Sequence, residues 1–217
     1  MGFDRQDSDQ QGFDQQGFDQ QGFDGPVAWD TPGTRRALHR WTAWHLAKSL
    51  GWVALWVGAL YLTLLLPTAA VVAMVPVLVV LAILAVLALG RLSTGWRMRR
   101  ILAVYPWRRQ SGAVRITKGK DALFVLPDPD SPGTTVSLKA AAGLFRSWSR
   151  EALKDYDAEL RYAGDPRFAC VVAKPGLRGL GCLAQPTAYG SRTSPRRKGL
   201  SSEARRRARA IGARVAD

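Results

Sequence analysis

The sequence predicts a membrane α-helical hairpin of two transmembrane helices, followed by a small β-rich (α+β) cytoplasmic domain and bounded by disordered tails. Three observations predict it. Residues 49–89 form 41 consecutive positions without a charge, and about 20 apolar residues are enough to cross a bilayer core of about 30 Å. Pro67 interrupts that run near its middle, where it removes a backbone donor and disfavours helix in the preceding residue. After residue 105 the pattern changes to short apolar runs broken by Gly, Pro and Asp, as expected of several short strands.

The chain has 217 residues and a formal net charge of +14, unevenly distributed. Residues 1–34 carry seven Asp and one Arg. They repeat a five-residue unit, Gly12-Phe13-Asp14-Gln15-Gln16 and Gly17-Phe18-Asp19-Gln20-Gln21, flanked by Gly2-Phe3-Asp4 and Gly22-Phe23-Asp24. Gly and Gln bury too little surface to offset chain entropy, so disorder is expected, with the phenylalanines as spaced adhesive points or the copies as a neutral expansion.

Residues 35–48 form a basic juxtamembrane segment, 49–66 the first transmembrane helix and 71–89 the second. Pro76 lies one turn into the second span, where a bend is tolerable if the freed carbonyl finds another donor. Residues 90–104 are basic again. Arg35, Arg36, Arg40 and Lys48 precede the first span, and Arg91, Arg97, Arg99 and Arg100 follow the second, while the turn between carries none. Positive residues stay in the cytoplasm, so the reading is a multi-pass protein of the cell membrane with both termini inside. Trp41, Trp44, Trp96 and Trp107 suit interfacial anchoring. A twin-arginine export signal at Arg35-Arg36 is disfavoured because the apolar stretch runs on into a second span. Ala54 and Gly58, with Gly51 nearby, have small-xxx-small spacing, which reads more readily as chance in an Ala- and Gly-rich chain than as a close-packing face within the hairpin or in a homodimer.

The β-rich cytoplasmic domain is expected over residues 105–186. Candidate strands lie at 113–117, 122–126, 134–138, 158–162, 168–173 and 179–184, with a hairpin turn at 128–133 and a short helix from Ser149. Both histidines, His39 and His45, precede the first span, so no Ser/His/Asp set is available to the domain. Glu151, Asp155, Asp157 and Glu159 read as a solvated acidic face, and Cys170 and Cys182 as buried apolar thiols. Gly176-Leu177-Arg178-Gly179 reads as a turn between strands more readily than as a phosphate loop. The expectation is therefore no catalytic residue, no metal and no cofactor.

Gly95-Trp96-Arg97, the run from Ile101 to Trp107, and Ala163-Gly164-Asp165-Pro166-Arg167-Phe168 leading to Val171-Val172-Ala173-Lys174-Pro175-Gly176 resemble a group of uncharacterised integral membrane proteins of actinobacterial type. The resemblance covers roughly residues 40 to 186 and implies a membrane address without a known activity.

Residues 187–217 are expected to be a disordered basic tail. Arg196, Arg197, Lys198, Arg205, Arg206, Arg207 and Arg209 are candidate contacts for an anionic inner leaflet or another polyanion. Ser202 is positioned to cap a short helix at 203–210. These features suggest a non-catalytic, membrane-anchored protein that presents an interaction domain to an unknown cytoplasmic protein. The alternatives are a membrane tether for nucleic acid through the arginine tail, or an enzyme whose site lies in the β-rich domain.

Overall fold

The computed structural model describes residues 25–116, 122–131, 133–140, 150–185, 199–213 and 215. The five-residue repeats, Arg196, Arg197, Lys198 and the Ser149 cap lie outside these residues. Two long apolar helices precede a curled antiparallel sheet, α1 spanning Thr34–Leu64 and α2 spanning Thr68–Leu102. Pro67 is the N-cap of α2, with extended backbone at φ −65° and ψ 151°. The turn expected from its missing N–H is therefore present.

The helices are longer than the lipid-length spans expected at 49–66 and 71–89. With 31 residues in α1 and 35 in α2, they rise about 46 and 52 Å at 1.5 Å per residue. Segments 35–48 and 90–102 are continuations of the same helices, because neither contains a proline to stop them. Pro76 sits inside α2 without ending it.

A seam at alternating spacings of three and four residues joins the pair. On α1 the more buried positions include Trp41, His45, Ser49, Trp52 and Trp56, and on α2 Leu78, Leu81, Ala85, Ala88, Leu92 and Gly95. This is the spacing of left-handed helix pairs, with large residues of α1 facing a stretch of α2 rich in small ones. A Cβ on Gly95 would lie 3.2 Å from the Trp41 ring. Gly51 and Gly58 do not serve the seam, since an added Cβ at either meets nothing within 4 Å. The glycine that the seam does need is Gly95.

The sheet has seven strands in the order β1-β5-β6-β7-β4-β3-β2. They are β1 (Arg108–Gln110), β2 (Val114–Ile116), β3 (Ala122–Pro127), β4 (Thr135–Ala140), β5 (Leu160–Asp165), β6 (Ala169–Lys174) and β7 (Arg178–Ala184), with α3 (Arg150–Ala158) between β4 and β5. Each of the six expected strands has a counterpart, and β3 pairs with β4 across the 128–133 turn. Only β1 was not anticipated. Two arginines and a glutamine form an edge strand with no apolar alternation to read.

Side chains alternate across the central strands. Ala169, Val171 and Ala173 of β6 face a core shared with the helix ends, whereas Cys170 and Val172 face a second core with Phe124, Leu138 and Tyr156. Both faces of β6 are therefore covered, which explains its unbroken apolar run.

Both ends of the described chain join the first core. Residues 25–33 were expected to belong to a disordered segment, yet Ala28 is fully buried and donates its N–H to the Tyr105 carbonyl at 2.9 Å. Within the region read as a disordered basic tail, α4 (Ser202–Ala210) is folded and docked. Ala204, Ala208, Ile211 and Ala213 are buried with Met98, Ile101 and Tyr105. Ser201, one residue earlier than expected, caps it by accepting from the Ala204 N–H. Its buried side chains are small alanines and Ile211, which join the junction core.

Candidate functional site

The region with the most to offer is the junction where the helix hairpin meets the sheet. Beyond the apolar spans, α1 contributes Ala37 and Leu38, and α2 contributes Met98, Ile101 and Leu102, to the same core as Ala163, Phe168, Val171 and Leu177. Burying a large aliphatic side chain contributes roughly 1.5–3 kcal/mol, so the hairpin and domain form one packed unit. Trp107 donates its indole N–H to the Thr34 hydroxyl at 3.0 Å. It is partly buried and packs on this core. Trp41 is likewise half-buried, its ring tilted 48° against His45 with centroids 4.2 Å apart.

Trp44 and Trp96 are different, with 70% and 68% of their surface exposed. Trp44 lies five residues before the uncharged run and Trp96 seven after it, about 8 and 10 Å along their helices. Arg36, Arg40, Lys48, Arg97, Arg99 and Arg100 are exposed on the same stalks. The stalks therefore carry a cationic collar with two bare indoles at the level of the apolar boundary.

A polar knot ties the loops below. Arg167 Nε donates to Asp165 Oδ1 at 2.9 Å and Nη2 donates to Asp165 Oδ2 at 2.7 Å. Nη1 donates to Asp130 Oδ2 at 2.7 Å. Asp130 Oδ2 also accepts from the Ser201 N–H at 3.3 Å. The β5–β6 turn, the β3–β4 turn and the start of α4 are thus joined through one guanidinium. Its side chain is 2% exposed and that of Asp165 is 1% exposed. Burial alone lowers the pKa of Arg167, but hydrogen bonds and charge from Asp165, then Asp130, outweigh this and raise it. Gly164 allows the turn: it has φ 134°, and a Cβ there would sit 2.3 Å from the Ala169 carbonyl oxygen.

The β6–β7 turn contains the Gly176-to-Gly179 segment, flanked by a pairing of Lys174 with Arg178. It is the turn between strands that the glycines suggested. Leu177 adopts φ 58°, uncommon for a residue with a side chain, and that side chain is buried in the junction core. Tyr156 donates its hydroxyl to the Gly179 carbonyl, which holds the turn beside α1.

Of the tail cations in the described residues, Arg205, Arg206 and Arg209 are exposed on α4. Arg206 and Arg207 pair with Glu203 at 2.8 Å each. The Arg206 hydrogen bond, opposed by partial desolvation and reinforced by both guanidinium charges, holds the Glu203 carboxyl below its usual range. The other acidic residues are engaged in fastening elements. Asp155 pairs with Lys174 at 2.7 Å, Glu159 with Arg161 at 3.3 Å, and Asp157 accepts from the Val114 N–H at 3.0 Å.

Cys170 and Cys182 are both free and buried, as expected. They lie on adjacent strands but belong to opposite cores, so their side chains point to different faces of the sheet. Burial pushes both thiols up, Cys182 to about 11, which keeps them protonated and poorly nucleophilic.

Sequence reasoning named the cationic stalks and the glycine turn but passed over Arg167, Asp165 and Asp130 as a unit. Their only sequence signal was two Asp/Pro-containing turns 35 residues apart. No protein-family model, curated protein or solved structure matches this chain, which leaves the residues and their geometry to carry the functional reading.

Proposed function

We propose that this chain is a non-catalytic two-pass membrane protein that fixes a β-rich domain against the cytoplasmic surface of an anionic bilayer, where the domain receives a protein partner. The observation that carries this reading is the unbroken passage of both helices from apolar span to cationic stalk to domain core. Each 18-residue apolar window is only 6% buried, unlike the core helices of a soluble fold. The apolar faces of the helices suit a hydrocarbon solvent, and the collar of arginines suits the cytoplasmic leaflet. Because Met98, Ile101, Leu102, Ala37 and Leu38 are held in the domain core, the domain keeps a fixed height and orientation relative to the spans.

The assignment without catalysis draws on the use of Asp155 and Asp157 as fasteners between elements. The exposed face of α1 containing Gly51, Ala54 and Gly58 is available to a second copy. A nucleic-acid tether through Arg205, Arg206 and Arg209 of α4 is the second reading. It draws on their exposure along one folded helix.

Single cysteines placed at residue 27 and in the turn at Pro67 test the topology in intact cells. A membrane-impermeant maleimide is expected to label the turn from outside and residue 27 only after lysis. Labelling of both from one side, or release of the chain by alkaline carbonate, overturns the reading. Salt-sensitive retardation of a DNA or RNA probe at 50 mM salt, abolished in an Arg205/Arg206/Arg209→Gln variant, favours the tether instead.

A further inference from the structure

A groove of 190 Å³ runs between α1 and the β6–β7 turn. Ala37, Trp41 and Trp44 form one wall, Leu177 and Leu180 the other, and Arg40 stands at the rim. We infer that this groove holds one anionic glycerophospholipid of the cytoplasmic leaflet, its phosphate on Arg40 and the start of an acyl chain along the indoles. The inference rests on the membrane-anchored reading above and adds a specific lipid site to it.

Three features support this occupant over others. First, position: Arg36, Arg40, Trp44 and Lys48 are spaced four apart on α1 and all exposed. They form a stripe that leads from the groove to the first uncharged residue, Ser49, about 13 Å beyond Arg40. Three cations set about one exposed indole suit an anionic headgroup whose acyl chain starts at Trp44. Second, charge: Arg40 has no carboxylate partner among the described residues, whereas its neighbour Arg35 is paired with Asp30 at 3.1 Å. Among the described residues, the groove lining holds no carboxylate to compete for Arg40. Third, shape: the left-handed Leu177 turns its side chain inward, and the Tyr156 hydroxyl holds the Gly179 carbonyl. The far wall is thereby fixed and its apolar side faces the tryptophans.

The test is native mass spectrometry of the full-length protein released from vesicles of phosphatidylcholine and phosphatidylglycerol in equal amounts. Wild type is expected to retain one phosphatidylglycerol in preference to phosphatidylcholine, and Arg40→Gln is expected to reduce that preference about fivefold, the factor for one cation at an anionic surface. Arg206→Gln, on α4 and outside the groove, is expected to leave it unchanged. Should Arg40→Gln fail to fold, Trp44→Ala is expected to lower retention of both lipids while keeping their ratio, and undiminished retention in that variant overturns the proposal. Equal retention of both lipids by wild type, an undiminished preference in Arg40→Gln, or displacement of the lipid by inorganic phosphate overturns the proposal. A chain that resists alkaline carbonate but shows no preference defeats the groove alone; a chain that fails to enter the vesicles defeats the anchored reading as well.

Discussion

Replacing Arg167 with Met tests how far the domain depends on its polar knot. Methionine keeps much of the length and apolar stem of the arginine but deletes its three hydrogen bonds to Asp165 and the one to Asp130. Asp165, with a side chain 1% exposed, is then left as a buried carboxylate without its counter-ion. Breaking a buried pair from one side costs about 3–5 kcal/mol, against a total domain stability of about 5–15 kcal/mol. For a chain of this size that is a fall in Tm of about 6–20 °C. Tryptophan fluorescence during thermal unfolding in detergent measures it. Adding Asp165→Leu to Arg167→Met removes the stranded charge and is expected to recover part of the loss, since Asp128 and Asp130, 16% and 19% exposed, reach water. A single-variant loss below about 1 kcal/mol, the value of an exposed ion pair, refutes the reasoning.

Three further outcomes are expected. Gly164→Ala places a Cβ 2.3 Å from a backbone oxygen, so the β5–β6 turn cannot close and the variant should be recovered as aggregate, as seen by size-exclusion chromatography. Ala208→Asp puts a charge at a position with no exposure, which should release α4 and speed tryptic cleavage at Arg205 and Arg206 at least tenfold, for an undocking cost of about 1.4 kcal/mol or more. Burial, the leading cause, raises the phenol pKa of Tyr105 and Tyr162 above the ordinary 10.0. Native tyrosines then hold protons that the unfolded chain has lost, so their contribution to stability is complete below pH 10 and declines as pH climbs past it. Absorbance at 295 nm should show these two of the five tyrosines ionising only with unfolding.

The hairpin was legible because lipid imposes a one-dimensional demand, a minimum length of uncharged residues, which residues 49–89 meet in the sequence itself. Pro67 and the 128–133 turn were legible for a related reason, since Pro, Gly and Asp act on the backbone locally. The strands could be read from their apolar runs, and the buried thiols from their neighbours.

Other features depend on partners distant in sequence. Nothing in an arginine-rich segment announces that Ala204 and Ala208 lie against Met98 and Ile101, because alanine spacing gains meaning only when a surface is there to receive it. The same holds for Ala28 under Tyr105 and for Trp107 bound to Thr34, 73 positions away. Arg167 reaches Asp130 across 37 residues, a pairing that no local sequence pattern announces. The composition alone determined a membrane-length hairpin, a β-rich appendage and an excess of positive charge beside the spans. Tertiary structure alone decided that stalks, sheet and C-terminal helix share one core, and that a groove opens beside Trp44, because burial and ion pairing are made by side chains that chain order keeps apart.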